Sequence, residues 1–185
     1  GYGTFKNNLD TLVTADRMQG FLKLKDTNEF LYPEDNTNAY IKTKSSASGT
    51  ESKYEVQLLT TNVIWIKSLF NDQFLTAKYR GAKPIGASKP VAGNQDKYQV
   101  IDNGDGSFYL YSLYSEKYLM KDEAGYITDK SEELPLQNGI FIYDSGNAFQ
   151  QFYQDFNNST GIIDYSLAAG GQTVTASGKV KILNE

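Results

Sequence analysis

An all-β fold built from three copies of one four-stranded unit is what the sequence predicts, and three observations predict it. An aromatic-Leu pair recurs at a spacing of 44 residues, as Phe30-Leu31, Phe74-Leu75 and Tyr118-Leu119. Each pair follows an apolar triplet at one fixed distance: Gly20-Phe21-Leu22, Ile64-Trp65-Ile66 and Phe108-Tyr109-Leu110. Within each copy, apolar positions alternate over short stretches bounded by Asn, Asp, Gly, Pro and Ser, the pattern of strands joined by turns. Later landmarks hold the register. Ala39-Tyr40-Ile41 answers Lys83-Pro84-Ile85 at 44 residues, and the third copy reads Gly125-Tyr126-Ile127, two residues early. Tyr54-Glu55-Val56 then matches Tyr98-Gln99-Val100 at 44 and Ile140-Phe141-Ile142 at 42, as a repeat carrying one deletion should.

The first copy, residues 20–63, has strands at Phe21 to Lys25, Glu29 to Pro33, Ala39 to Lys44 and Lys53 to Leu58. In the second, 64–107, they run Val63 to Ser68, Gln73 to Lys78, Pro84 to Ser88 and Lys97 to Ile101. The third, 108–145, has Phe108 to Leu113, Lys117 to Lys121, Gly125 to Asp129 and Gly139 to Tyr143. A four-stranded unit with one apolar face cannot bury that face alone and leaves strand edges open. Three units around a pseudo-threefold axis solve both problems, and twelve strands in three groups of four is the count of a β-trefoil. A propeller has similar units but normally needs four or more blades.

Period-2 alternation assigns the faces. Leu22, Ile66, Leu110, Leu31, Leu75, Leu119, Ile41, Ile85, Ile127, Val56, Val100 and Ile142 are expected to point inward and form a uniformly aliphatic core. Phe21, Trp65, Tyr109, Tyr40, Pro84 and Tyr126 then face out, either filling layers between hairpins or serving a ligand.

Residues 1–19 and 146–185 flank the repeats within one domain, 1–185, and should lie side by side where the ends of a closed array meet. Asp10 to Ala15 and Lys179 to Leu183 read as strands able to pair, with further strands at Gln172 to Ala176 and Ile162 to Leu167. Aromatics at 149, 152, 153 and 156 have near-helical spacing, so Ala148 to Asn157 is expected to form a short amphipathic helix over one end of the barrel.

The chain has 185 residues, 39% of them hydrophobic and 14% aromatic, enough for a well-buried core. It carries a formal charge of -4, and its Lys and Arg residues are scattered singly, which argues against nucleic acid and heparin-like polyanions. No apolar run approaches the ~18 residues of a membrane span, so no membrane insertion is expected. The chain contains no cysteine and no histidine. That excludes disulfide scaffolds, Ser-His-Asp and Cys-His catalysis and the commonest transition-metal sites, and a non-enzymatic protein without a cofactor is the expectation.

The pattern Ile64-Trp65-Ile66-Lys67-Ser68, then Gln73-Phe74-Leu75-Thr76-Ala77 and Ile85-Gly86-Ala87-Ser88, resembles the repeat of fascin-like β-trefoil domains. Phe108-Tyr109-Leu110-Tyr111-Ser112 with Glu116-Lys117-Tyr118-Leu119 is a second match, and the resemblance covers roughly residues 20–145. The first copy departs from it, with Lys23-Leu24 for Lys-Ser and Tyr32-Pro33-Glu34 after its aromatic-Leu pair. The resemblance implies either an actin-bundling module or a bacterial carbohydrate-binding accessory module. One trefoil with a net negative charge favours the glycan partner, an extracellular or cell-surface location with any leader absent from the chain, and a monomer or a module of a larger protein. A protein-binding module and a β-trefoil protease inhibitor of the Kunitz or mycocypin kind are the alternatives.

A glycan platform needs an exposed aromatic face to stack on a sugar ring and nearby amides or carboxylates for its hydroxyls. The aromatic candidates are Trp65, Tyr79, Tyr109, Tyr111, Tyr114 and Tyr126; Asn71, Asp72, Asp105 and Glu116 are the polar ones from turns. Trp65 is the only tryptophan, and Tyr79 sits beside Arg80-Gly81 in the longest loop of the second copy. The Tyr109, Tyr111 stripe reads as structural. Asn103-Gly104-Asp105-Gly106-Ser107 has the look of a calcium loop but lacks the later bidentate Glu, so it reads as a hairpin turn and no metal is expected.

Overall fold

A computed structural model describes residues 17–47 and 49–144, together with the backbone of Ala168–Ala169 and Gln172–Thr173. Its strands are β1 (Arg17–Leu24), β2 (Phe30–Pro33), β3 (Ile41–Lys44), β4 (Lys53–Thr60), β5 (Val63–Ser68), β6 (Gln73–Thr76), β7 (Gly86–Lys89) and β8 (Tyr98–Asp102). They continue as β9 (Phe108–Ser112), β10 (Lys117–Lys121), β11 (Ile127–Ser131), β12 (Phe141–Asp144), β13 (Ala168–Ala169) and β14 (Gln172–Thr173). The first twelve overlie the segments marked by alternation. β1 begins earlier than expected because Arg17 to Gly20 continue the antiparallel ladder with Tyr54 to Gln57 of β4. The strand expected over Gln172 to Ala176 is present in its first two residues, which pair with Ala168–Ala169. The other flanking elements, at Asp10 to Ala15, Ala148 to Asn157, Ile162 to Leu167 and Lys179 to Leu183, lie outside the described residues.

β1, β4, β5, β8, β9 and β12 pair in that order, and β12 returns to β1, so six antiparallel strands close into a barrel. Closure removes the free edges that a sheet of this size would otherwise expose. The hairpins β2–β3, β6–β7 and β10–β11 branch from β1, β5 and β9. They meet at Ile41, Ile85 and Ile127. The Ile41 N–H donates to the Ile85 carbonyl and the Ile85 N–H to that of Ile127, each at 2.9 Å, and all three side chains are buried.

Of the expected core, every member but Ile142 is buried. Ile142 is half-buried because Phe141 and Tyr143 point inward, pairing with Leu24 and Leu22 of β1. Tyr98 and Val100 occupy the corresponding inward places opposite Ser112 and Leu110. The last strand is therefore offset from Tyr98 by 43 residues rather than 42, and a slip of one residue exchanges the faces of a strand. The core is also not uniformly aliphatic. Tyr54, Tyr98, Tyr143, Phe108 and Phe141 fill it, since six strands enclose more volume than branched aliphatics alone occupy. The Tyr143 hydroxyl donates to the Met18 carbonyl at 2.7 Å, whereas those of Tyr54 and Tyr98 are buried without a hydrogen-bond partner among the described residues. Burial, before any neighbouring charge, raises the pKa of both.

The outward aromatics are half-buried and pack on one another. Phe21 meets Phe30 edge-on, Trp65 meets Phe74, and Tyr40 meets Tyr126, with centroids 5.5, 6.1 and 6.2 Å apart. These layers between strands and hairpins are the packing alternative foreseen for them.

Candidate functional site

After β6 the chain leaves the ladder at Ala77 and turns twice in succession. The Arg80 N–H donates to the Ala77 carbonyl at 2.9 Å and the Ala82 N–H to that of Tyr79 at 3.0 Å. Arg80 and Gly81 both have positive φ, 51° and 88°, which lifts Tyr79 off the sheet surface. Tyr79 is 39% exposed. The ammonium groups of Lys78 and Lys83 lie 5.3 and 5.7 Å from the ring centroid. Gly81 is seated on β11: a Cβ there would stand 3.0 Å from the Asp129 carbonyl oxygen and 3.4 Å from Lys130 Cγ.

A second turn, residues 113–116, approaches from β9. The Ser115 N–H donates to Ser112 Oγ at 3.1 Å and the Glu116 N–H to the Ser112 carbonyl at 2.8 Å, with Glu116 at φ 60°. This presents Tyr114 to the first loop, and the Arg80 guanidinium lies over its ring at 4.2 Å. Gln95 connects the two, donating from Nε2 to the Tyr114 hydroxyl at 3.5 Å while its carbonyl accepts from the Ala77 N–H. Of the expected residues, the fold brings together Tyr79, Tyr114 and Glu116. Lys78, Arg80, Lys83, Gln95 and Lys130 join them and were not expected. The sequence signal for the first three was their place beside Tyr79; nothing local marked Lys130, which arrives from 50 residues away.

Beyond Lys130 the surface opens into a cavity of about 360 Å³ between β10, β11 and the chain at Asn138. Met120 lines it together with Lys121, Asp122, Glu123, Thr128 and Asn138. Some of these groups are already engaged: Lys121 bonds Glu29 at 2.9 Å, and Asp122 accepts from the Tyr126 N–H at 2.9 Å. Beneath the same face lies Asp129, buried at 1% exposure, with neither carboxylate oxygen in hydrogen-bond geometry among the described residues. Burial raises its pKa; the nearby Ser115 hydroxyl, then Lys117 and Lys130, act more weakly in the opposite direction.

The other expected residues lie elsewhere. The Trp65 indole donates to the Gly93 carbonyl at 3.2 Å, so both its ring and its N–H are used in packing. Tyr109 is half-buried on β9 opposite Ile101, and Tyr111 meets Tyr118 edge-on at 4.9 Å. Tyr126 donates from its hydroxyl to Glu34 at 2.9 Å, a bond that raises its pKa, and lies under the Lys42 ammonium. Asn71 closes its own turn, donating to the Ala87 carbonyl and accepting from the Gln73 N–H. Asp72, mostly exposed, pairs with Lys67 at 3.2 Å. Asp105 accepts from Lys25 at 2.5 Å and from the Ser107 N–H at 2.9 Å within the 102–107 hairpin turn, where Gly104 and Gly106 have positive φ.

No family model matches the sequence, and no curated relative does either. Among solved structures, the chain is similar to the designed threefold-symmetric protein ThreeFoil, at a TM-score of 0.60 and 15% identity over 68% of this chain and 96% of that one. It is similar to a Polyporus squamosus lectin bound to a human-type influenza-binding epitope, at a TM-score of 0.61 and 8% identity over 70% of this chain and 49% of the lectin. SeviL bound to asialo-GM1 saccharide gives a TM-score of 0.56 and 10% identity over 70% and 98% of the two chains. With the closed barrel and its three hairpins, these likenesses show an all-β chain with the β-trefoil fold.

Proposed function

We propose that this chain is a non-catalytic carbohydrate-binding module whose site is the face formed by Tyr79, Tyr114 and the cavity beyond Lys130. The observation that carries the reading is Tyr79, an aromatic residue raised and left open on a tight loop whose Gly81 meets Lys130, one of the residues that line a sugar-sized cavity. Tyr114 and Gln95 brace that loop, and Glu116 and Glu123 stand nearby as acceptors for hydroxyl groups. Two trefoils of similar fold, the Polyporus squamosus lectin and SeviL, are described with bound saccharides, which supports the class of ligand. The absence of histidine and cysteine from the sequence supports a binding rather than a catalytic role. The motifs of copies two and three support a fascin-like accessory module of the secreted kind, with three equivalent units about a pseudo-threefold axis.

A glycan array with wild type, Tyr79→Ala and Trp65→Ala tests this. The expected result is binding by wild type, loss of at least tenfold in affinity for Tyr79→Ala, and binding retained by folded Trp65→Ala. Failure of every glycan to bind, or binding unaffected by Tyr79→Ala, would overturn the proposal.

A further inference from the structure

Although the Lys and Arg residues are scattered along the sequence, the fold gathers six of the cations at the site. Lys78, Arg80 and Lys83 share the Tyr79 loop, and Lys130 abuts it at Gly81. Lys97 is placed beside the Tyr114 turn by the hydrogen bond from the Leu113 N–H to its carbonyl, and Lys117 opens β10 directly after that turn. Among the described residues none of these six makes a salt bridge, whereas Lys25, Lys42, Lys44, Lys67, Lys89 and Lys121 each do. Lys23 and Lys53 are also without one, and they lie over Phe30 and Phe21 outside the cluster.

The acids on this side offset part of that charge, since Asp122 and Glu123 line the cavity with Lys130. Asp96 is buried and already bonded to Lys89 and to the Gly93 N–H, and Asp129 is buried beneath the face. Glu116 is the exposed carboxylate on the turn itself. A chain of net charge -4 therefore gathers more cations than acids around the raised Tyr79.

We infer that the saccharide taken by this face is an acidic one, bearing carboxylate or sulfate groups that the Lys78, Arg80, Lys83 and Lys130 side chains bind. The inference rests on the carbohydrate-binding reading of the same site. Two ammoniums lie 5.3 and 5.7 Å from the Tyr79 ring centroid, and a sugar that stacks on a face they cover displaces them. An exposed cation–π contact is a weak interaction. An anion on the stacked sugar supplies the displaced ammonium with a charge-assisted hydrogen bond, roughly twice as strong as a neutral one; a neutral sugar supplies no such replacement. The acidic remainder of the molecule confines the attraction to this patch, which suits a short charged segment rather than a long polyanion.

Calorimetry with matched oligosaccharides separates the outcomes. Oligogalacturonate is compared with its neutral methyl ester, and a sulfated carrageenan oligosaccharide with its desulfated twin, with a short oligothymidylate as a charge control. At least one acidic member should bind about tenfold or more tightly than its neutral twin, a difference of roughly 1.4 kcal/mol, and the margin should shrink as salt screens it. Lys78→Gln/Lys83→Gln should reduce that margin several-fold, and Lys23→Gln/Lys53→Gln should leave it intact. Neutral twins binding equally well through Tyr79 would overturn the acidic preference and leave carbohydrate binding standing. Oligothymidylate binding as tightly as the best acidic sugar would overturn the inference in favour of unspecific charge attraction. No binding by any saccharide would overturn both readings.

Discussion

Tyr79 and Trp65 carry comparable rings on the second copy, and their surroundings put them to opposite uses. Trp65 is half-buried against Phe74 with its N–H bonded to Gly93, so Trp65→Ala should lower stability by about 2 kcal/mol, roughly half the cost of a fully buried ring. Denaturant unfolding checks this, and Tyr79→Ala should leave the midpoint nearly unchanged. Asp129 poses the reverse case, a buried carboxylate without a hydrogen bond at a ladder position where Ala87 stands opposite Leu75 in the second copy. Its pKa in the fold is raised by burial, so the native state holds its proton more tightly than the unfolded chain does. The stability it permits is fully present below the ordinary aspartate range and is lost as pH rises through the raised folded value. Asp129→Ala should accordingly be more stable than wild type by about 1 kcal/mol at pH 7, and the advantage should vanish in acid. A variant less stable than wild type at pH 7 would show that the carboxylate has a partner after all.

At the scale of elements, the loop and turn that make the site depend on close approach between hairpins. Gly81 has φ 88° and no room for a side chain beside the Asp129 carbonyl, so Gly81→Ala should strain the Tyr79 loop by about 1–2 kcal/mol and weaken ligand binding. Gly86, at the start of β7, would place a Cβ only 2.6 Å from the Asn38 carbonyl oxygen where its strand bridges Tyr40. Gly86→Ala should therefore lower the melting temperature more than Gly81→Ala does, a ranking that thermal unfolding of the two proteins checks. The twelve strands were legible because alternation and turn residues are local signals. The register of β12 was not, since the extra residue before Phe141 follows from pairing with Leu22 and Leu24, which no local pattern of that segment records. Nor was the grouping of Lys130 with Arg80 legible, because a hairpin of the third copy carries one and a loop of the second carries the other.

Across the whole molecule, charged contacts join distant parts of the chain, and the Glu29–Lys121 pair spans 92 residues at 2.9 Å. The hydrogen bond from Lys121 is the main reason that the Glu29 pKa lies below the ordinary glutamate value, even against the opposing effect of burial. A carboxylate depressed in this way contributes stability above its unfolded pKa and loses it as pH falls through the lower folded value. Unfolding followed through the acid range should show that loss, and Glu29→Gln should be less stable at neutral pH with a flatter acid limb. A variant with an unchanged acid limb would assign the loss to other groups. The central claim concerns where a glycan sits, and amide chemical-shift mapping by NMR during titration with a saccharide that binds tests it most directly. Shifts concentrated at residues 78–83, 113–117, 120–123 and 130 are predicted, with Trp65 unmoved. Shifts centred on another face, with Tyr79 and Tyr114 silent, would contradict it.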